Sequence, residues 1–287
     1  KRGIDKAVNS AVEELKKIAS QVRRDIVRMV TDAKSGHPGG SLSSADVLTA
    51  LYFNEMKIDP AKWERNGKGE DMFILSAGHI TPVYYSLLAR RGYFPVAELA
   101  TFRKYGTRLQ GHPSVEKGLP GIIQTSGSLG QGLSAAAGLA LGKKLDGEDR
   151  YVYVLCGDGE SEEGQIWEAA MFAAHHGLDH LIAMTDWNHQ QIDGTVDEVA
   201  GEGDLEAKWK AFGWNVIVAD GHDFDSILSA FAAARENKGK PTMILFKTDM
   251  GHGVDFMAGT CKWHGKAPSQ EQCQAALAQL EETLGDY

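Results

Sequence analysis

The chain is poor in cysteine, in positive charge and in long apolar runs, and each shortage removes a class of protein. Three cysteines (Cys156, Cys261 and Cys273) among 287 residues are too few and too scattered for a disulfide framework or a zinc site. A reducing cytoplasm suits them, and Cys156 is expected simply to pack at a strand end. Thirty Lys and Arg against 39 Asp and Glu leave a formal net charge of −9, the opposite of the basic footprint that nucleic-acid binding requires. No stretch approaches the roughly 18 apolar residues of a membrane span, and no signal-peptide core follows the basic pair Lys1 and Arg2. Neither nucleic acid nor membrane is expected as a partner. The missing initiator methionine reads as processing or trimming. No internal repeat, low-complexity tract or linker interrupts the chain, and 43% hydrophobic residues suffice for one sizeable α/β core.

What is present begins with two apolar runs. Tyr151 to Cys156 empties into Gly157-Asp158-Gly159, and Leu181 to Thr185 empties into Asp186, Trp187 and Asn188. Each has the length and flanks of a buried strand, and the stretch from Ser161 to Gly177 between them is helix-compatible. Parallel strands in such a unit deliver their C-terminal ends to one sheet edge, which brings Asp158 and Asn188 side by side. A carboxylate and an amide oxygen beside bare glycine backbone suit a hard divalent cation holding a diphosphate, because Mg²⁺ takes few protein carboxylates and completes its shell with phosphate and water. The plainer reading is an ordinary turn with a capping asparagine.

Elsewhere, Val8, Val12, Leu15, Ala19, Val22, Ile26, Met29 and Ala33 form one stripe of a long helix, with Lys16, Lys17, Arg23 and Arg24 expected on a solvated face. A Gly/Pro-rich loop is expected over Ser35 to Ser41, then a helix from Ser44 to Asn54 capped by Ser43 or Ser44. Further strands are expected at 71–76, 215–219 and 242–247, and helices at 78–90, 131–144, 205–212, 225–236 and 269–284. Loops are expected at 202–203 and 251–265. This alternation predicts an α/β fold, a doubly wound parallel sheet flanked by helices.

Four of ten histidines sit in constrained loops: His37 before Pro38, His79 after Gly78, His112 between Gly111 and Pro113, and His264 before Gly265. Such placement aims imidazoles, which donate, accept and shuttle protons near neutrality. One alone reads as a satisfied loop residue; four suggest a shared pocket. His175, His176, His180 and His222 read as structural or solvated, with His189 and His252 open. The turn Gly127 to Gly132 opens an Ala-rich helix and can receive either an anion or a flat ring; close packing alone explains it equally well.

These motifs together resemble the N-terminal, thiamine diphosphate (TPP)-binding part of transketolase, from about Ile18 to His264. The resemblance implies a thiamin diphosphate-binding fold with residues 1–287 as one diphosphate-binding domain. It implies a divalent metal, Mg²⁺ with Ca²⁺ or Mn²⁺ as alternatives, held by the side chains of Asp158 and Asn188 and the carbonyl of Gln190. Gly157 and Gly159 would face the diphosphate, with His79 and His264 donating to it. Leu129 and Ile192 would clamp the thiazolium ring, and the Gly127 carbonyl would accept from the aminopyrimidine. His37, His112 and His264 would line the sugar site as catalytic residues. Glu163 and Glu168 match acidic positions that couple two sites across a dimer interface. Ser128 stands where the family often has proline.

The family also carries a pyrimidine-binding and a C-terminal domain, for which no further α/β units remain after Tyr287. The expectation is the N-terminal subunit of a split transketolase, transferring a two-carbon ketol unit from a ketose (phosphate) to an aldose (phosphate) and active only with a C-terminal subunit, in an α2β2 assembly in the cytoplasm. The rival readings are the α subunit of a TPP-dependent 2-oxo acid dehydrogenase, a 1-deoxyxylulose-phosphate synthase, a non-catalytic homologue and a fragment of a full-length enzyme.

Overall fold

The computed structural model describes residues 2–287, with side chains from Ser10 onward. A long helix α1 (Arg2–Ala33) leads into two short ones, α2 (Pro38–Ser43) and α3 (Ala45–Ala50). Strand β1 (Met72–Leu75) and helix α4 (Thr81–Arg91) follow, then α5 (Gln131–Leu145), β2 (Val152–Gly157), α6 (Gly164–His175) and β3 (Leu181–Trp187). A two-stranded hairpin, β4 (Gln190–Gln191) with β5 (Gly194–Thr195), leads to α7 (Val196–Val199) and α8 (Leu205–Ala211). The chain then runs through β6 (Asn215–Asp220), α9 (Phe224–Glu236), β7 (Thr242–Lys247) and α10 (Gln270–Leu277).

Five strands form one sheet in the order β1-β2-β3-β7-β6, every pair parallel. Alternation at period two sends neighbouring residues to opposite faces, and both faces are buried, so β2 and β3 read as unbroken apolar runs. Tyr153, Leu155, Ile182 and Met184 join a cluster with Val22, Ile26 and Leu87, from α1 and α4. Val152, Val154, Cys156, Leu181 and Ala183 join the opposite cluster with Ala136, Ala170 and Trp209, from α5, α6 and α8. The expected doubly wound class is what folds, and Cys156 is buried at its strand end.

Several local expectations are corrected. The Gly/Pro-rich loop becomes α2, because Pro38 sits at its first turn, where a missing N–H costs nothing, and all six residues are buried. Neither serine caps α3 through its side chain; Ser43 Oγ instead donates to Asp186 Oδ2 at 2.6 Å. The expected 44–54 helix ends in a π turn over Leu51–Glu55, and the terminal helix stops at Leu277. Val8 lies outside the residues whose side chains are described, but Val12 to Met29 of the stripe are buried.

Lys16 and Lys17 are exposed as expected, whereas Arg23 and Arg24 are not. Arg23 makes a two-pronged bond to buried Asp46, at 2.8 and 2.6 Å, and Arg24 pairs with Asp286 at 2.7 Å. His222 is likewise held, with Nδ1 3.0 Å from Asp46 Oδ2 and Nε2 accepting the Asp249 N–H at 2.9 Å, and its ring stacks on His252 at 3.5 Å. No helix among the described residues is long and apolar enough to cross a membrane.

Candidate functional site

The register of the sheet builds the site. Gly157 at the end of β2 is aligned with Asp186 on β3, so Asp158 and Asn188 leave adjacent strands at the same edge. Asp158 Oδ1 accepts the Gly159 N–H at 2.8 Å and Oδ2 accepts the His189 N–H. Asn188 Oδ1 accepts the Gln190 N–H at 2.9 Å, and its Nδ2 donates to Asp186 Oδ2 at 2.9 Å. That second bond fixes which way the amide points. With nitrogen turned to Asp186, oxygen is the atom left for a cation.

A cavity of about 430 Å³ opens above this edge, a volume suited to a cofactor. It is lined by Asp158, Asn188, Gln190, Gly157, Gly159, Gly127, Leu129, Ile192, Glu163, His37, His79 and His264, all singled out in the sequence. Glu160, Asp186 and Met250 line it as well. His112 and Glu168 do not. His112 stands behind the Gly127 turn, where a Cβ on Gly127 would meet its ring at 3.0 Å. Glu168 lies exposed on α6.

Electrostatics mark the floor of the cavity as cation-seeking. Asp158, Asp186 and Glu202 are 2, 5 and 4% exposed. Asp186 is met only by neutral donors: Ser43, Asn188 and Thr248. Burial pushes the Asp158 carboxyl well above its ordinary range, and the neighbouring Asp186 and Glu202 charges push the same way. Glu202 Oε1 accepts the Trp187 Nε1–H at 2.7 Å, while its Oε2 is buried with no partner. Buried carboxylates gathered without a cation are costly; the oxygens of Asp158, Asn188 and Gln190 fit a hard divalent ion, and a ring nitrogen of His189 lies within 4.8 Å of Asp158 and Glu202.

The opposite wall carries imidazoles. Ring centroids are 5.2 Å apart for His37 and His79, 5.6 Å for His37 and His264, and 5.1 Å for His79 and His264. Burial lowers His37 to about 4 and His79 to about 3, with neighbouring His264 adding to both. Burial also lowers His264 and His112. Neutral imidazoles remain at pH 7, and Nδ1 of both His37 and His264 is buried without a partner among the described residues. Orphaned atoms of this kind await a ligand. Arg103, held at φ 56°, donates to Ser35 Oγ at 2.9 Å and so braces the loop before His37.

Two acidic residues were missed by the sequence reading. The sequence places Asp186 just past the Leu181–Thr185 run, but β3 extends through it to Trp187, and a charge inside a doubly buried strand is itself a signal. Glu160 falls between the Gly157–Gly159 turn and the expected Ser161–Gly177 helix and carries no expectation. Asp186→Asn is expected to lower divalent-cation affinity about 10- to 100-fold, the usual cost of losing an outer-shell partner, because the Asn188 amide is then free to flip. The Mg²⁺ dependence of cofactor binding measures this, and an unchanged midpoint refutes it.

Comparison with known proteins follows the same lines. The family described as transketolase, thiamine diphosphate binding domain, matches residues 14–285. The chain is 46% identical over 270 residues to the 6-deoxy-6-sulfo-D-fructose transketolase subunit SqwG of Clostridium sp. (strain MSTE9), covering 93% of this chain and 96% of that protein. It is 38% identical over 273 residues to an apulose-4-phosphate transketolase subunit of Phocaeicola vulgatus, covering 95% and 96%. Among solved structures, transketolase from Leishmania mexicana superposes with a TM-score of 0.87 at 31% identity, over 95% of this chain but 42% of that one.

Proposed function

We propose, from the premise that this chain belongs to the transketolase family through its thiamine diphosphate-binding domain, that it is the N-terminal subunit of a split transketolase. A second polypeptide would carry the pyrimidine-binding and C-terminal domains, with two copies of each subunit in the cytoplasm. The near-complete match to relatives named as subunits, against 42% coverage of a whole transketolase, supports the division. The observation that carries the reading is the Asp158–Asn188 pair at adjacent strand ends, its amide oriented by Asp186 and faced by three neutral histidines.

In this reading Asp158, Asn188 and the Gln190 carbonyl hold Mg²⁺, with Ca²⁺ or Mn²⁺ able to substitute. Gly157 and Gly159 offer backbone to the diphosphate, and His79 and His264 donate to its oxygens. Leu129 and Ile192, 37 and 62% exposed, grip the thiazolium ring from the rim, and the Gly127 carbonyl accepts from the aminopyrimidine. Thiamine diphosphate, when bound, supplies the electron sink that ketol transfer requires.

His37 and His264 present neutral imidazoles that can take a proton from a sugar hydroxyl and, as imidazolium, return it to the developing alkoxide. His112 holds a substrate hydroxyl from behind the Gly127 turn. Glu163 and Glu168 sit where two sites communicate across an interface. The substrates are a ketose donor and an aldose acceptor. Relatives named for 6-deoxy-6-sulfo-D-fructose and apulose-4-phosphate support sugars ending in an anionic group.

The test assays ketol transfer by the chain alone and assembled with its partner. The isolated chain is expected to fall at least ~10³-fold below the assembly, the scale of an absent catalytic group. Ketol transfer by the isolated chain refutes the split. Turnover of a 2-oxo acid but not of a ketose phosphate by the assembly refutes the reaction.

A further inference from the structure

Helix α5 begins where a glycine-rich turn enters it, and such an N-terminus is by default an anion site. Its own cap residue is Gly130, at φ +84° with no side chain to offer. Two of the N–H groups at its start are nevertheless met from other loops. Gly132 N–H donates to Ser76 Oγ at 3.1 Å and Gly130 N–H donates to Glu160 Oε1 at 2.8 Å. Ser76 Oγ donates in turn to Glu160 Oε1, and Glu160 Oε2 accepts the Gly157 N–H at 3.0 Å. Glu160 is 3% exposed and Ser76 fully buried. Gly132 permits the relay, since a Cβ there would lie 2.5 Å from the Ser76 side chain.

We propose that Glu160 is a positioning residue that occupies the N-terminus of α5 with the protein's own carboxylate and ties three cavity-lining loops into one frame. The loops are the end of β1 at Ser76, the turn carrying Leu129, and the end of β2 at Gly157. A carboxylate in a helix's first turn satisfies its N–H groups and its dipole together. A diphosphate brought to the same N–H groups meets a like charge in a low dielectric. The diphosphate is thereby confined to the Asp158 side of the cavity, and the Gly127–Gly132 turn is left to face the ring. Of the two ligands that such a turn can receive, an anion or a flat ring, the carboxylate selects the ring. The inference rests on the thiamine diphosphate reading above.

The test uses the chain assembled with its partner and titrates TPP with Mg²⁺ by calorimetry, alongside steady-state KM values for TPP and for the sugar. Glu160→Gln must turn an amide N–H against one of its three donors. It is expected to weaken TPP binding about 10-fold, the scale of one unsatisfied buried donor, with the sugar KM within about 2-fold. Ser76→Ala keeps the charge but cuts the relay, and is expected to weaken TPP about 3-fold. It decides the matter if the glutamine variant does not assemble. Glu160→Ala frees the helix N-terminus, so inorganic pyrophosphate without Mg²⁺ raises its melting temperature and leaves the wild type unmoved. Wild-type TPP affinity in these variants overturns the inference, as does equal loss of TPP and sugar binding, the mark of general damage. A wild-type assembly that binds no TPP at all overturns the proposed function, and this inference with it.

Discussion

Asp158→Ala is expected to abolish cation-dependent cofactor binding and to lower ketol transfer by the assembled enzyme on the order of 10³-fold. Asp158 is the carboxylate that the sheet edge thrusts into the cavity, and its closest neighbours are acidic as well. About 4 kcal/mol of attraction between unit charges 4 Å apart at an effective dielectric of about 20 is forfeited, which is roughly three decades in affinity. Asn188 and the Gln190 carbonyl then offer only neutral oxygens. The same change removes one of three crowded buried charges from the folded chain, so its stability suffers less than deletion of an ordinary buried side chain. Thermal melting separates the two effects. Wild-type assembly gains melting temperature on addition of TPP and Mg²⁺, and the Asp158→Ala assembly gains none. A variant that retains both the gain and the turnover places the cation elsewhere.

The parts of this molecule legible in its sequence are those fixed by short-range pattern. β2 and β3 are buried on both faces, so their apolar runs and turn flanks announce them, and parallel pairing then dictates that Asp158 and Asn188 meet. Three of the four constrained histidines were legible for a similar reason, since neighbouring glycine and proline restrict the loop whatever surrounds it; His112 stands outside the cavity lining. What stayed hidden depends on partners far along the chain. Arg23 looks like a solvated charge until Asp46 arrives from α3, and Arg24 until Asp286 arrives from beyond α10. His222, read as structural or solvated, is structural, seated by Asp46 and the Asp249 backbone. The hairpin β4–β5 has two residues in each strand, below the length at which alternation can be read. Glu160 and Asp186 are the instructive cases. Each is a charge in a segment read for its backbone, and each serves groups on other elements rather than its own.

Acid should unfold this protein earlier than its carboxylates alone would dictate. His37 and His252 are held at about 4 and His79 at about 3, in each case chiefly by burial. Unfolded, each takes up a proton near pH 6.5. Between pH 6.5 and about 4 the unfolded chain therefore binds protons that the folded chain refuses, so stability falls as pH falls. Three fully buried groups would cost about 4 kcal/mol per pH unit. His37 and His252 are only partly buried, and solvent screening there reduces this to about 2 kcal/mol per unit. Two units below neutrality that is a large share of a typical domain's 5–15 kcal/mol. Denaturant melts at pH 7, 6, 5.5 and 5 should show the midpoint dropping steadily below pH 6.5, and His37→Asn with His79→Asn should flatten the slope by at least about two-thirds, since they remove two of the three histidines from the titration. A midpoint independent of pH across that window would mean that these imidazoles are protonated in the folded protein. The imidazoles assigned to proton handling would then not be held neutral below pH 6.5.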